Sequence, residues 1–139
     1  MTEILMYFDG ASKGNPGNSG AAYWIKCGDT SYGEYKFLGN QTNNVAEYSG
    51  LILGLKSLMK YREQSIKVHG DSKLVIEQMK GNWKVRAPNL IPLWKEANEL
   101  IKNFKDIEFI HIDRSLNAKA DALANIAVNT KSFRTDVEV

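Results

Sequence analysis

Four acidic residues, spread over most of the chain, stand where their side chains could act together. They are Asp9, Glu47, Asp71 and Asp121. Each alone has an ordinary explanation, because Asp-Gly pairs form turns and acids commonly cap or flank helix starts. Taken together they are unusual, since each ends a predicted strand or lies in the first turns of a predicted helix, toward one edge of a sheet.

Carboxylates gathered at one edge repel one another, and they cannot all stay ionised without compensation. A divalent cation supplies that compensation. Oxygen ligands with no nearby Cys or His set favour Mg²⁺ or Mn²⁺ over Zn²⁺. Two such ions about 3.5–4 Å apart can activate a water and stabilise the leaving oxygen of a displacement at phosphorus. The four acids therefore predict metal-dependent phosphodiester chemistry.

The hydrophobic pattern predicts the elements that must position these acids. Apolar and β-branched runs at 4–8, 21–27 and 32–38 predict three antiparallel strands, with a turn-rich loop over 10–20. Strands at 66–70 and 107–112 alternate with helical patterns, which begin near 45, 72, 90 and 117. We expect an α/β fold: a five-stranded mixed sheet, three antiparallel strands then two parallel crossovers, flanked by helices.

Three asparagines are expected to cap the N-termini of helices. Asn44 with Glu47 has the spacing of a capping box, and Asn89 and Asn117 are the expected caps of the last two helices. We assign residues 1–128 to one domain. The tail over 129–139 shows no clear hydrophobic period, so we predict no helix or strand there.

Composition excludes several classes of protein. A chain of 139 residues with one cysteine, Cys27, is not a disulfide scaffold, and we expect a reducing, cytoplasmic setting. No apolar stretch is long enough to cross a membrane, and the start Met1-Thr-Glu-Ile lacks a basic n-region. The net charge of +2 is too small to predict nucleic-acid binding by itself. A monomer is the default expectation.

Four sequence blocks that hold the acids resemble ribonuclease H type 1 in order and spacing. The blocks are Asp9-Gly-Ala-Ser-Lys-Gly-Asn-Pro-Gly17, Thr42-Asn-Asn-Val-Ala-Glu47, Gly70-Asp-Ser-Lys-Leu-Val75 and Asn117-Ala-Lys-Ala-Asp-Ala-Leu-Ala124. The likeness extends over about residues 4–128. Because four separate blocks agree, it is far more specific than any single motif.

The resemblance implies a ribonuclease H-like fold and a nuclease that hydrolyses the RNA strand of RNA/DNA hybrids, leaving 3′-hydroxyl and 5′-phosphate ends. It also implies roles for the acids. Asp9 would bridge two Mg²⁺ ions, with Mn²⁺ as an alternative. Glu47 and Asp71 would hold the ion near the leaving group, and Asp121 the ion that positions the attacking water.

The same resemblance assigns four residues to the minor groove of the hybrid, near ribose 2′-hydroxyls or the DNA strand: Ser12, Asn15, Asn43 and Asn44. Hydroxyls and amides suit this task, because they can both donate to and accept from a 2′-hydroxyl. The alternative is that these residues only form turns and caps.

Arg114 stands where many members of the family have a histidine in the loop before the last acid. Since arginine cannot act as a base near neutral pH, we expect it to contact phosphate and assist product departure, with a surface salt bridge as the alternative. The two histidines, His69 and His111, lie in strand patterns and are interpreted as packing residues.

The chain is similar to short family members that lack the long basic handle. Residues 80–88 replace that region, and Trp83 with its neighbouring cations is the closest substitute, able either to meet the DNA strand or to fold back on the core. Lys73 stands where a glutamine often touches the groove, so we expect a phosphate contact there. This surface predicts weak, salt-sensitive binding and low processivity.

Two other functions stay open: a nuclease of the same fold that acts on other nucleic acid, and a hybrid-binding module without catalysis. The hybrid-facing Ser and Asn positions argue against the first, and the complete set of four acids argues against the second.

Overall fold

Six strands form one mixed sheet in the computed structural model, which describes residues 3–139. Met1 and Thr2, part of the start considered above, lie outside the described residues. The strands are β1 (Ile4–Gly14), β2 (Gly17–Cys27), β3 (Thr30–Gln41), β4 (Ser65–Gly70), β5 (Asp106–His111) and β6 (Phe133–Glu138). Their order across the sheet is β5-β4-β1-β2-β3-β6. The pairs β1–β4 and β4–β5 are parallel and the others antiparallel.

Four helices flank this sheet: α1 (Asn43–Leu58), α2 (Lys73–Met79), α3 (Ile91–Ile101) and α4 (Ala118–Thr130). Short 3₁₀ turns cover Met59–Tyr61 and Arg114–Leu116. The predicted α/β class, with antiparallel strands followed by parallel crossovers, is confirmed. Among residues 3–139, no helix is both long and apolar enough to cross a membrane.

The main core lies between α1 and the sheet. Ile4, Met6 and Phe8 alternate along β1 and are fully buried, as the period of two requires. Leu51 and Leu55 of α1 are also fully buried in this cluster. Each such side chain contributes about 1.5–3 kcal/mol relative to an exposed one, so this layer anchors the strand that carries Asp9.

Helix α4 packs on the other face of the sheet through small side chains. Ala120, Ala124 and Ala127 are completely buried. A Cβ built on Gly20 of β2 would lie 2.6 Å from the carbonyl oxygen of Ala124. The helix therefore sits close against the sheet, and Asp121 in its first turn lines the same cleft as Asp9 in the middle of β1.

The predicted number of strands was wrong by one. The sixth strand comes from the tail, where β6 pairs antiparallel with β3, and Lys36 lies opposite Phe133. Its residues are almost all exposed, and only Val137 is half-buried. Because no apolar face is buried regularly, the strand leaves no alternating pattern in the sequence.

The loop predicted over residues 10–20 is also wrong. Strands β1 and β2 continue through it as a hairpin that narrows to the pair Gly14 and Gly17, with the turn at Asn15-Pro16. Glycine, serine and asparagine are typical of turns, but here the backbone ladder holds these residues in strands.

The cap prediction for α1 is off by two residues. The N-cap is Thr42, whose Oγ1 accepts the N–H of Val45 at 3.3 Å, and Asn44 lies within the helix. Glu47 is therefore not the partner of a capping box and is free for the cleft. Helix α3 likewise starts after Leu90 and not after the expected cap Asn89.

Candidate active site

Three acidic side chains from three elements meet at the edge of the sheet. Asp9 lies in β1, Glu47 in the second turn of α1, and Asp71 directly follows β4. Each offers a carboxylate oxygen, and these oxygens all lie within 4.8 Å of one another. The parallel pairing of β1 with β4 brings two of them to the same edge, as the order of elements predicted.

Asp121, in the first turn of α4, faces the same cleft of about 430 Å³. The cleft is lined mainly by polar residues: Asp9, Gly10, Ala11, Ser12, Asn43, Asn44, Glu47, Asp71, Ser72, Arg114, Asp121 and Asn125. The structure thus brings all four predicted acids to one cavity.

Gly10 explains how β1 comes so close to α1. A Cβ at this position would lie 2.4 Å from the carbonyl carbon of Ala46 and 2.5 Å from the nitrogen of Glu47. A side chain would therefore push the helix away. The absence of a Cβ next to Asp9 sets the short separation between that acid and Glu47.

Burial makes this cluster electrostatically costly. Asp9 is only 4% exposed, and burial raises its pKa to about 7, with further upward contributions from Asp71 and Asp121. Hydrogen bonds from Glu47 and from the Gly10 N–H, at 2.9 Å, act in the opposite direction. The pKa of Glu47 is raised well above its usual range, mainly by burial and secondly by the charge of Asp9. Both groups resist full ionisation near neutral pH.

The donor set fits a hard divalent cation. It consists of carboxylate oxygens, the ligands that Mg²⁺ and Mn²⁺ favour. Oε2 of Glu47 is buried and has no hydrogen-bond partner among the described residues, so it keeps a free acceptor in the cleft. A cation would offset the repulsion that raises the two pKa values. Asp9, Glu47, Asp71 and Asp121 are the residues able to hold it.

Amide side chains support two of the acids. Nδ2 of Asn117 donates to Oδ2 of Asp71 at 3.1 Å, and Nδ2 of Asn125 donates to Oδ1 of Asp121 at 3.3 Å. The sequence offered Asn117 only as a helix cap. The residue occupies the N-cap position of α4 but makes no side-chain cap bond there, because its amide is directed to Asp71 and to the Phe8 carbonyl oxygen instead. No local pattern could have indicated this contact.

Three of the four predicted groove residues line the cleft, namely Ser12, Asn43 and Asn44. The fourth, Asn15, does not line it. Its Oδ1 accepts the N–H of Asn43 at 3.0 Å, which ties the tip of the hairpin to the start of α1.

Arg114 lines the cleft from the 3₁₀ turn that precedes α4. Its side chain makes no salt bridge among the described residues, so the alternative of a surface ion pair finds no support. The cleft thus combines an acidic floor with one exposed cation.

Lys73 and Trp83 lie outside the cleft lining. Nζ of Lys73 stands 5.9 Å from the centre of the Trp83 ring, and Trp83 is 44% exposed. The indole is therefore not folded into the core. Lys73 opens α2 two residues after Asp71, so this pair forms a separate basic and aromatic surface beyond the acids.

The two histidines differ from each other. His69 is buried, its ring stacks on Tyr7 with 4.3 Å between ring centres, and its Nδ1 donates to the Met6 carbonyl oxygen at 3.1 Å. Its interpretation as a packing residue is confirmed, and burial lowers its pKa. The same interpretation of His111 is wrong. That ring is exposed, and its Nε2 lies 3.3 Å from the backbone oxygen of Asp71.

A family model described as reverse transcriptase-like matches residues 7–127 of the chain. A bifunctional protein of Mycobacterium tuberculosis is 42% identical over 130 residues, which cover 91% of this chain and 36% of that relative. The chain thus spans little more than a third of that protein. A protein named ribonuclease H from Ruthia magnifica is 31% identical over 150 residues, covering 93% of this chain and 97% of the relative.

A solved structure with the same fold is that of LC11 ribonuclease H1 in complex with an RNA/DNA hybrid. It superposes with a TM-score of 0.86 at 32% sequence identity, and the match covers 92% of this chain and 98% of that one. Family, fold and cleft therefore agree over nearly the whole chain.

Proposed function

Because the chain belongs to the ribonuclease H family, we propose that it is a metal-dependent endoribonuclease that hydrolyses the RNA strand of RNA/DNA hybrids to 3′-hydroxyl and 5′-phosphate ends. One observation carries the proposal: carboxylate oxygens of Asp9, Glu47 and Asp71 converge within 4.8 Å in a cleft that Asp121 also lines. Such a cluster is tolerated at neutral pH when cations compensate it.

Two Mg²⁺ ions, or Mn²⁺ ions, are the proposed cofactors. When bound, they supply water activation and stabilisation of the charge that develops on the leaving oxygen. The protein's part is to hold the ligands ready. Asp9 is fixed by burial, Glu47 is half-buried with its Oε2 shielded from solvent, and the Gly10 N–H orients one oxygen of Asp9. Asp121, in the first turn of α4, is the fourth proposed ligand.

Recognition of the hybrid falls to small polar side chains on the cleft wall. Ser12, Asn43 and Asn44 line the cleft beside the acids. An amide or hydroxyl can donate to and accept from a ribose 2′-hydroxyl, which is the group that separates RNA from DNA. Asn15 supports this wall from behind through its bond to the Asn43 N–H.

Arg114 is the proposed phosphate contact. A guanidinium stays charged throughout the neutral range and offers several donors to phosphate oxygens. It cannot relay a proton, so it binds the cleaved strand and assists its departure. Lys73 and Trp83 would contact the DNA strand outside the cleft, the first through phosphate and the second through its exposed indole.

A cytoplasmic location and a monomeric state complete the proposal. Both stay predictions of the sequence.

The test is a cleavage assay on an end-labelled RNA/DNA hybrid with Mg²⁺, repeated with chelator and with Asp9→Asn. Hybrid cleavage should stop in both cases, while circular dichroism shows that the variant keeps its fold. Asp29→Asn is the matched control, because Asp29 is an exposed turn aspartate outside the cleft. Cleavage that persists in Asp9→Asn would contradict the assignment.

A substrate panel decides between the proposed function and its alternatives. We expect cleavage of the hybrid and none of duplex DNA or single-stranded DNA. Preferred cleavage of DNA would indicate another nuclease of the same fold. Tight binding of the hybrid without cleavage, in the presence of Mg²⁺ or Mn²⁺, would indicate a binding module.

A further inference from the structure

Asn117 is a buried polar residue at the junction of the elements that form the cleft. Its side chain is 1% exposed. Nδ2 donates to the carbonyl oxygen of Phe8 at 2.9 Å and to Oδ2 of Asp71 at 3.1 Å. One nitrogen thus links the residue before Asp9 to the carboxylate that follows β4.

The contacts of Asn117 lie just beyond the last paired residues of β1 and β4. The parallel register between β1 and β4 ends at the pair Tyr7 and His69. Beyond that pair no ladder bond joins the strands, although Asp9 and Asp71 both lie there. Asn117 bridges this gap from outside the sheet, through the Phe8 carbonyl oxygen on one side and the Asp71 carboxylate on the other.

The amide contacts are better suited to positioning than to stability. Both acceptors require the NH₂ group, so the orientation of the amide follows from its partners. Oδ1 is then left buried without a partner among residues 3–139. An unsatisfied buried carbonyl is a cost to folding.

The backbone of the same residue reaches the turn that carries Arg114. The N–H of Asn117 donates to the carbonyl oxygen of Arg114 at 3.0 Å. The carboxylate of Asp71, the β1 backbone at Phe8 and the Arg114 turn therefore share one point of attachment.

We propose that Asn117 is a positioning residue for the divalent cations: it holds the carboxylate of Asp71 toward Asp9 and fixes the turn of Arg114 beside them. This inference rests on the proposed function. In metal sites, residues that orient the ligands typically change metal affinity about 10- to 100-fold when they are replaced.

The test measures cation binding apart from catalysis. Mn²⁺ is titrated by calorimetry into the wild type, Asn117→Ala and Asn117→Leu, where leucine keeps the size of the side chain but cannot donate. Both variants should bind Mn²⁺ about 10-fold more weakly. In cleavage assays kcat should fall while KM for the hybrid changes less than about 2-fold, because the loss concerns the ligands and not the groove. Asn98→Ala is the control, since Asn98 donates to the Trp94 backbone at 2.9 Å and lines no part of the cleft.

The outcomes separate this proposal from the proposed function. If the folded variants bind Mn²⁺ as tightly as the wild type does, Asn117 does not position the site, and the nuclease assignment is untouched. If both variants are unfolded, Asn117 is a folding residue and the proposal is equally wrong. If the wild type binds no Mn²⁺ and cleaves no hybrid, the proposed function itself fails.

Discussion

Asp9 is one of two carboxyls in the cleft whose ionisation is strongly opposed by burial, the other being Glu47. Asp9 is almost completely buried, and it shares its cleft with three further acids. Burial raises its pKa to about 7, so without a cation the carboxyl is partly protonated at neutral pH. The residue that should matter most for cation binding is therefore also a source of pH-dependent stability.

The sign of this dependence follows from the two states of the chain. Unfolded, Asp9 ionises near pH 4, whereas folded it ionises near pH 7. Between these values the folded state binds more protons, so the free energy of unfolding falls as pH rises. A shift of about three units corresponds to on the order of 4 kcal/mol as an upper bound.

We therefore expect Asp9→Asn to be more stable than the wild type above pH 7 in the presence of chelator. The difference should be small at about pH 4, near the pKa of the unfolded state, and vanish below it, where the carboxyl is protonated in both states. Urea denaturation at pH 4, 5.5, 7 and 8 measures it. Comparing the two proteins cancels the opposite trend of His69, whose lowered pKa costs stability as pH falls. Equal stabilities at pH 8 would show that Asp9 is not electrostatically strained.

Arg114 offers a second prediction. Arg114→Ala should lower kcat/KM for the hybrid about 10-fold, the worth of one charge-assisted phosphate contact, and Arg114→Lys should recover part of the loss. The pH profile should not change, because a guanidinium does not titrate in the neutral range. Arg134→Ala, on exposed β6, is the control. A changed pH optimum in Arg114→Ala would show that the turn takes part in proton transfer.

The residue types in the sequence indicated the four acids, but not the amide side chain of Asn117 that contacts one of them. Asp9, Glu47, Asp71 and Asp121 could be located because the hydrophobic pattern places each at the end of a predicted strand or in the first turns of a predicted helix, although β1 in fact continues past Asp9 to Gly14. Asn117 could not be assigned its contacts, because its partners Phe8 and Asp71 lie 109 and 46 positions away in the chain. Only the packing of α4 against the sheet brings them together.

At the scale of elements, the contact between β1 and α1 decides the geometry of the cleft. Gly10→Ala places a Cβ within 2.5 Å of the backbone at Ala46 and Glu47, where no flexible side chain can give way. We expect a loss of more than about 2 kcal/mol in the free energy of unfolding and weaker Mn²⁺ binding, since the strand and the helix must separate. Urea denaturation and calorimetry measure the two effects.

Gly28→Ala is the matched control for this change. Gly28 lies in an exposed turn at a φ of +62° with nothing within 4 Å of its Cβ position, so only the backbone conformation opposes the alanine. The cost there should be about 1 kcal/mol with cation binding unchanged. If Gly10→Ala costs no more than Gly28→Ala, the close approach of β1 and α1 is not limiting.

Elements with a buried face were predictable, and elements without one were not. Strand β4 and helix α1 follow regular apolar periods because one face of each packs in the core. The hairpin tip over β1 and β2 and the strand β6 are held by backbone ladders at exposed positions. Their sequences carry turn formers and charges, so nothing in the side-chain pattern distinguished them from loops.

At the scale of the whole molecule, the net charge is only +2, but a group of acidic residues and a group of basic residues lie on different surfaces. The acids line the cleft, whereas exposed cations occupy the connector between α2 and α3, namely Lys80, Lys84 and Arg86. Lys73 lies at the start of α2, between this connector and the acids. A polyanion can therefore approach the acidic cleft only if this basic surface and bound cations screen the repulsion.

This arrangement predicts weak binding that is sensitive to salt. Few cations face the substrate, so roughly two to four phosphate contacts are expected. The affinity of a catalytically inactive variant for the hybrid should then fall about 10- to 100-fold between 50 and 200 mM salt. The double variant Lys80→Gln, Lys84→Gln should bind more weakly at low salt and show a shallower slope of log affinity against log salt. Fluorescence anisotropy of a labelled hybrid with Asp9→Asn as the background measures both.

The control for this last prediction removes the same charge from the other edge of the sheet. Lys26, near the end of β2, and Lys105, before β5, are exposed at the edge opposite the carboxyl ends of the parallel strands. If binding followed net charge alone, Lys26→Gln, Lys105→Gln would lower affinity and slope as much as the connector variant does. We expect it to leave the slope nearly unchanged, because screened charges more than a Debye length from the phosphates release no counterions. An equal effect of both double variants would refute a role for the connector as the substrate-facing surface.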